Sequence, residues 1–339
     1  MIDNNTSNTN NIVRRSLLAA GALMLALATA CSSGGDSSPS ADDQTETSSP
    51  KPKINDPAVK PAALRTTDPC ALLGTRTLGE LGTIVPDSQS SPEWAQCSAD
   101  VKDAGGKTIE MVLRVGDQLT LVDEPTKKLK GLPLVLDDDD APKQCWASVL
   151  TSYETSLAVT FQVEYAGGDA CAAGQKALGK VVDQLRAKPP QYRQPAKSVL
   201  TTDPCQVADK GALRSALGPK TFVEPKDLHS CDVWKGDDTT YPQVSVRLFK
   251  GLRPDREDGA PVRLGGGVTA IAAKDTDLTI SCDVSWLRVE TPTPDEAPGY
   301  GELVSVTYSD DTDSKLDTAT ACKKATAVAK TVVPSLDRT

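Results

Sequence analysis

The sequence predicts an α+β protein made of two tandem copies of one domain, each a helix, an antiparallel sheet and a helix held by two disulfides. Three observations predict it. First, Thr66-Thr67-Asp68-Pro69-Cys70 recurs 135 residues later as Thr201-Thr202-Asp203-Pro204-Cys205. Second, the later cysteines keep the same order in both copies: Cys97 maps near Cys231, Cys145 near Cys282 and Cys171 near Cys322. Third, 339 residues suit two domains of about 100–150 residues better than one. Aromatics make up only 4% of the chain, so cores of Val, Leu and Ala must lean on cross-links.

Residues 1–30 read as a processing segment. A polar stretch ends in Arg14-Arg15, and an apolar run from Leu17 to Ala30 follows that is too short for a stable membrane span. Leu27-Ala28-Thr29-Ala30-Cys31 then resembles the bacterial lipobox, with Ala28 where that pattern prefers Leu. The resemblance implies a lipoprotein signal peptide, and Cys31 acylated by a diacylglycerol and palmitate-type chains. An ordinary secretory signal cut after Ala30 would leave Cys31 a stray thiol. Arg14-Arg15-Ser16-Leu17-Leu18 also resembles a twin-arginine export motif. Eight further cysteines that must pair outside the cytoplasm favour the general secretory route instead.

Residues 31–64 are rich in Ser, Asp, Thr and Pro and are expected to form a disordered tether, reaching on the order of 30 Å. The first domain is expected over residues 65–187 and the second over 200–339. The Pro-rich linker between them, 188–199, is expected to stiffen the join and hold the domains apart. Asp68-Pro69 and Asp203-Pro204 open helices, carboxylate as cap and proline in the first turn, running from Ala71 to Leu81 and from Gln206 to Leu217. Alternation then predicts strands through Ile109 to Val115, Cys145 to Val149 and Leu157 to Val163. In the second copy the strands run through Val244 to Leu248, Leu278 to Trp286 and Val304 to Tyr308. Closing helices follow Cys171 and Cys322. Four cysteines allow three pairings per domain, and proximity favours Cys70–Cys97, Cys145–Cys171, Cys205–Cys231 and Cys282–Cys322. A loop of 27 residues closed this way stabilises by roughly 3.5 kcal/mol in the chain-entropy picture. The extra length of the second copy is expected in a loop near residues 291–301.

The Asp-Pro-Cys opening, the short helix, the second cysteine about 27 residues on and the late cysteine on an Ala-rich helix resemble an actinobacterial lipoprotein family of unknown function. More distantly, each copy is similar to the extracellular sensor domains of PknH-type receptor kinases. That family usually has Trp soon after its second cysteine; Trp234 follows Cys231, whereas Trp94 precedes Cys97. The resemblance implies a cell-surface module with a ligand cleft and carries no catalytic residues across.

The chemistry-bearing residues are sparse. His229 is the single histidine, which excludes paired catalytic or metal-ligating histidines, and it is expected at the surface. No two cysteines have zinc-ligand spacing, so neither a metal site nor a cofactor is expected. Asp137 to Asp140 lack the alternation of a calcium loop and read as a solvated hairpin tip. Gly265-Gly266-Gly267 lacks the following Lys of a phosphate loop and, like Gly131, reads as a turn. The four tryptophans lie near the second and third cysteines of each copy. Trp286 shares parity with Cys282 and should face the core; Trp146 has the opposite parity and is the candidate for a cleft.

The net charge is −9, and about −10 once residues 1–30 remove Arg14, Arg15 and Asp3. Such a surface repels phosphate backbones, so nucleic acid is not an expected partner. The expected partners are the lipid bilayer, through acylated Cys31, and an unknown envelope ligand or protein. The expected function is a non-catalytic binding or sensing module for an envelope component, small ligand or partner protein, on the extracytoplasmic face of the cell membrane. The alternatives are a carboxylate-only enzyme acting on glycans and a passive structural surface protein.

Overall fold

The computed structural model describes residues 52–120, 125–137, 143–237, 239–291 and 298–338. Cys31, the expected signal segment and most of the expected tether lie outside the described residues. Order begins earlier than composition predicts. A 3-10 turn at Pro57–Val59 and α1 (Pro61–Leu64) precede the Asp-Pro-Cys motif. Val59 and Leu64 are buried in the first core, and Asp56 both caps the turn and pairs with Arg186 at 2.8 Å. Two well-placed apolar anchors therefore order a segment whose average composition is that of a leash.

Asp68 caps α2 (Pro69–Leu72), accepting from the Cys70 and Ala71 amides. The helix expected to reach Leu81 instead breaks at Gly74 and resumes as α3 (Thr75–Leu78). Leu72, Leu73 and Leu78 are all fully buried. On one continuous helix they would point around its whole circumference, so a break is needed to bury all three.

Seven antiparallel strands follow in the first half: β1 (Thr83–Ile84), β2 (Gln96–Lys102), β3 (Thr108–Gln118), β4 (Lys127–Leu129), β5 (Leu132–Asp137), β6 (Gln144–Leu150) and β7 (Leu157–Tyr165). Their order across the sheet is β1-β2-β3-β7-β6-β5-β4. Helix α4 (Ala170–Ala187), capped by Asp169, lies on the face formed by β6 and β7. There Leu178, Val181 and Val182 meet Met111, Leu113 and Phe161 in one core.

In the second half a 3-10 turn at Pro204–Gln206 is followed by α5 (Lys210–Leu217). Asp209 accepts from the Gly211 and Ala212 amides, so a second cap replaces the single helix expected from Gln206. The strands are β8 (Thr221–Pro225), β9 (Ser230–Lys235), β10 (Thr240–Leu252), β11 (Ala260–Gly265), β12 (Val268–Asp275), β13 (Ile280–Glu290) and β14 (Tyr300–Asp310). Their order, β8-β9-β10-β14-β13-β12-β11, reproduces that of the first sheet. Leu278, expected in a strand, stands outside β13 and is exposed. Helix α6 (Thr318–Leu336), capped by Asp317, packs on β13 and β14. No helix among the described residues is long and apolar enough to cross a membrane.

Four disulfides join Cys70–Cys97, Cys145–Cys171, Cys205–Cys231 and Cys282–Cys322. The last closes 40 residues against 26 in its counterpart. That difference is not confined to one loop. β13 has 11 residues where β6 has 7, β14 has 11 where β7 has 9, and the β14–α6 connection is longer too.

Candidate functional site

The two halves meet, and the join is an exchange of one side chain each way. Trp94 and Leu228 occupy the same position in the two copies, three residues before the second cysteine. Trp94 packs into the core of the second half and Leu228 into the core of the first. Room for Leu228 is made by Gly116, where β3 bulges against β7 and φ is +86°. A Cβ there would lie 2.3 Å from Leu228 Cγ.

Polar contacts frame this exchange. Arg65 donates to the Leu228 carbonyl at 3.0 Å and pairs with the cap carboxylate of Asp203 at 3.2 Å. The Gln118 amide donates to the Lys226 carbonyl at 3.0 Å, its side chain donates to Glu224 at 2.8 Å, and Arg247 reaches Glu93 at 2.6 Å. The linker does not hold the halves apart. The Asp68 amide donates to the Pro190 carbonyl, and the Tyr192 amide to the Thr66 carbonyl. Those backbone bonds fold the Pro-rich stretch back onto the first half.

Trp94 stands at the centre of two cavities. The larger, about 600 Å³, is bounded by Trp94 from the first half, Lys250 and Glu302 from the second, and the linker from Tyr192 to Ala196. The Lys250 ammonium lies 5.4 Å from the Tyr192 ring centroid. Glu302 is buried and accepts from the Val199 amide at 2.7 Å and Ser198 Oγ at 2.8 Å. Burial raises its pKa above the ordinary carboxylate value, with those two hydrogen bonds opposing. Burial likewise raises the Tyr192 hydroxyl, and the nearby Asp68 charge adds to it.

The smaller cavity, about 50 Å³, sets Trp94 beside His229, Asp117, Asp227 and Arg247. His229, expected at the surface, is only 5% exposed, and its ring lies 5.1 Å from that of Trp94. Neither ring nitrogen has a hydrogen-bond partner among the described residues. Burial first, and the Arg65 charge second, push its pKa down to about 3, so the imidazole is neutral. Its surface placement fails because the adjoining Leu228 carries the segment into the join. Asp117 is pushed up to about 6 by burial and by the Asp227 and Glu93 carboxylates, against the pull of Arg114. Its side chain is nevertheless 38% exposed, so solvent screens much of that effect.

The other candidates are scattered. Trp286 is buried in the second core. Trp146 is half-buried on the face of β6 turned away from α4, opposite Gln162, whereas Trp94 is the tryptophan that lines the interfacial cavities. Asp137 ends β5, and Asp138 to Asp140 lie outside the described residues. Gly131 and Gly265–Gly267 form the turns of the β4–β5 and β11–β12 hairpins. Gly116, Leu228, Tyr192, Lys250 and Glu302 carry no motif. The available signal was the matched position of Trp94 and Leu228, which differ too much in shape to be read as equivalents.

No curated protein and no solved structure matches the chain. Residues 26–184, which take in most of the first half, are similar to the family described as "Protein of unknown function (DUF3558)".

Proposed function

We propose that the chain is a lipoprotein, anchored through acylated Cys31 on the extracytoplasmic face of the membrane. It acts as a non-catalytic module that binds a small ligand or envelope component between its two halves. The observation that carries this reading is the 600 Å³ cavity at the join, to which the first half, the linker and the second half each contribute. Its size lies in the range of small-molecule sites, and it combines an aromatic wall with two cations, Arg193 and Lys250, and the buried carboxylate of Glu302. The single imidazole is buried and held neutral, which supports binding over acid–base catalysis.

The test is to purify the full-length protein from the membrane fraction under native conditions and to analyse its mass and the small molecules released on denaturation. An acyl mass on the Cys31 peptide is expected, as is a released species that is absent from the Lys250→Ala variant. A Cys31 peptide without added mass ends the anchoring claim. Identical release from both forms ends the cavity claim.

A further inference from the structure

The chain has few aromatic residues, yet three stand together on one exposed face. Phe222 on β8 is directly opposite Trp234 on β9, and Trp234 is opposite Gln243 on β10. Directly opposed residues share a face, so the row runs across three strands, a width of about 10 Å. Tyr241, at the register shift of β10, sets its ring 5.7 Å from that of Trp234 at 58°. Phe222 is 38% exposed and Tyr241 41%. Neither ring is needed to fill the core, which is formed on the opposite side by Val233, Val244 and Val246.

The next row on the same face is polar: Glu224, Asp232 and Ser245 lie in register, followed across β14 and β13 by Thr307 and Asp283. These groups are fixed in place. Trp234 Nε1 donates to Glu224 at 3.2 Å, Asp232 accepts from Ser245, and Thr307 donates to Asp283 at 2.7 Å.

We propose that this face is a carbohydrate-binding platform. The C–H faces of sugar rings lie on Trp234 and Tyr241, and ring hydroxyls donate to the adjoining carboxylate and hydroxyl row. Flat apolar rings edged by a dense row of acceptors match a ligand that is apolar on its ring faces and polyhydroxylated at its rim. The proposal rests on the reading of the chain as an extracytoplasmic binding module but is independent of the cavity at the join.

The experiment is native affinity electrophoresis of the mature chain through gels containing soluble mannan, dextran or a soluble β-glucan. At least one is expected to retard the chain. Tyr241→Ser and Trp234→Ala are expected to weaken that retardation at least tenfold, while Lys250→Ala at the join leaves it unchanged. Tyr241 is exposed, so its variant keeps the test informative if Trp234→Ala misfolds. No retardation by any of the three polysaccharides overturns the proposal, as does retardation that Tyr241→Ser and Trp234→Ala leave intact. Saturable binding of tetramethylammonium that is lost in Tyr241→Ser would identify a cation site instead. Concentration-dependent dimerisation lost in Phe222→Ser would identify a self-association surface.

Discussion

The first and second halves share strand order, helix placement and cystine pairing, yet they meet each other differently. The first half bulges at Gly116 and admits Leu228. In the second half β10 stays in regular register with β14 and carries Phe249 and Lys250 past the join, where Trp94 packs. A second difference lies on β7 and β14. Glu302 on β14 is paired with Lys250, and the residue similarly placed on β7 is Leu157, paired with Gln118. The first half closes that position with an apolar side chain. The second keeps a buried carboxylate there, held by Ser198 and Val199. Duplication thus yielded two similar cores that differ where they touch as well as in the length of their later strands and connections.

The comparison is broken most severely at the exchanged side chains. Trp94→Ala is expected to cost about 3–5 kcal/mol and Leu228→Ala about 2–5 kcal/mol. The informative readout is location: hydrogen exchange should accelerate in β10 and β14 for Trp94→Ala and in β3 and β7 for Leu228→Ala. Faster exchange confined to the half that carries the mutation would mean that the halves are energetically separate.

Replacing Cys145 and Cys171 with Ser should cost roughly 3.5 kcal/mol, and replacing Cys282 and Cys322 about 0.4 kcal/mol more because its loop is longer. Denaturant unfolding of the two double variants checks this. A reversed order would show that native geometry, not loop length, governs the difference.

The join is also sensitive to pH. His229 is held neutral, with its folded pKa of about 3 below the usual 6.5. Below about pH 6.5 the unfolded chain takes up a proton that the folded chain refuses, so stability falls as pH drops towards 3. Asp117, raised to about 6, acts in the opposite direction: its contribution grows as pH falls through 6. With Asp117 screened by solvent, a net loss of about 2 kcal/mol between pH 6.5 and 4 is expected. Melting temperature against pH should show a slope that His229→Gln flattens and Asp117→Asn steepens.

The smallest effect belongs to the Arg247–Glu93 pair, both side chains of which are largely exposed. Arg247→Ala is expected to cost under about 1 kcal/mol, measured by a double-mutant cycle with Glu93→Ala. A coupling well above that would move the weight of the join from its apolar exchange to its rim.

Much of the architecture was legible in the amino-acid order, because the signals that carried it are local or repeated. The capping aspartates and the alternation through β3, β6, β7, β10 and β14 each act within a few residues of chain, and the Asp-Pro-Cys motif and the order of the cysteines are legible because they occur twice. The outer strands β1, β2, β4, β5, β8, β9, β11 and β12 escaped, the shortest of them because two to five residues hold too little pattern to exceed chance. The break at Gly74 escaped because only the surrounding sheet shows that three leucines must all be buried.

By itself, then, the sequence determined the duplication and the two helix–sheet–helix cores, and it favoured, among three pairings per domain, the one the disulfides adopt. Tertiary structure decided that Val59 and Leu64 belong to a core, that His229 is buried, and that Trp94 and Leu228 cross between halves. It also decided that Phe222, Trp234 and Tyr241 share one exposed face. Each of these depends on residues far apart in sequence arriving at the same place, and such proximity leaves no periodicity in the chain to be read.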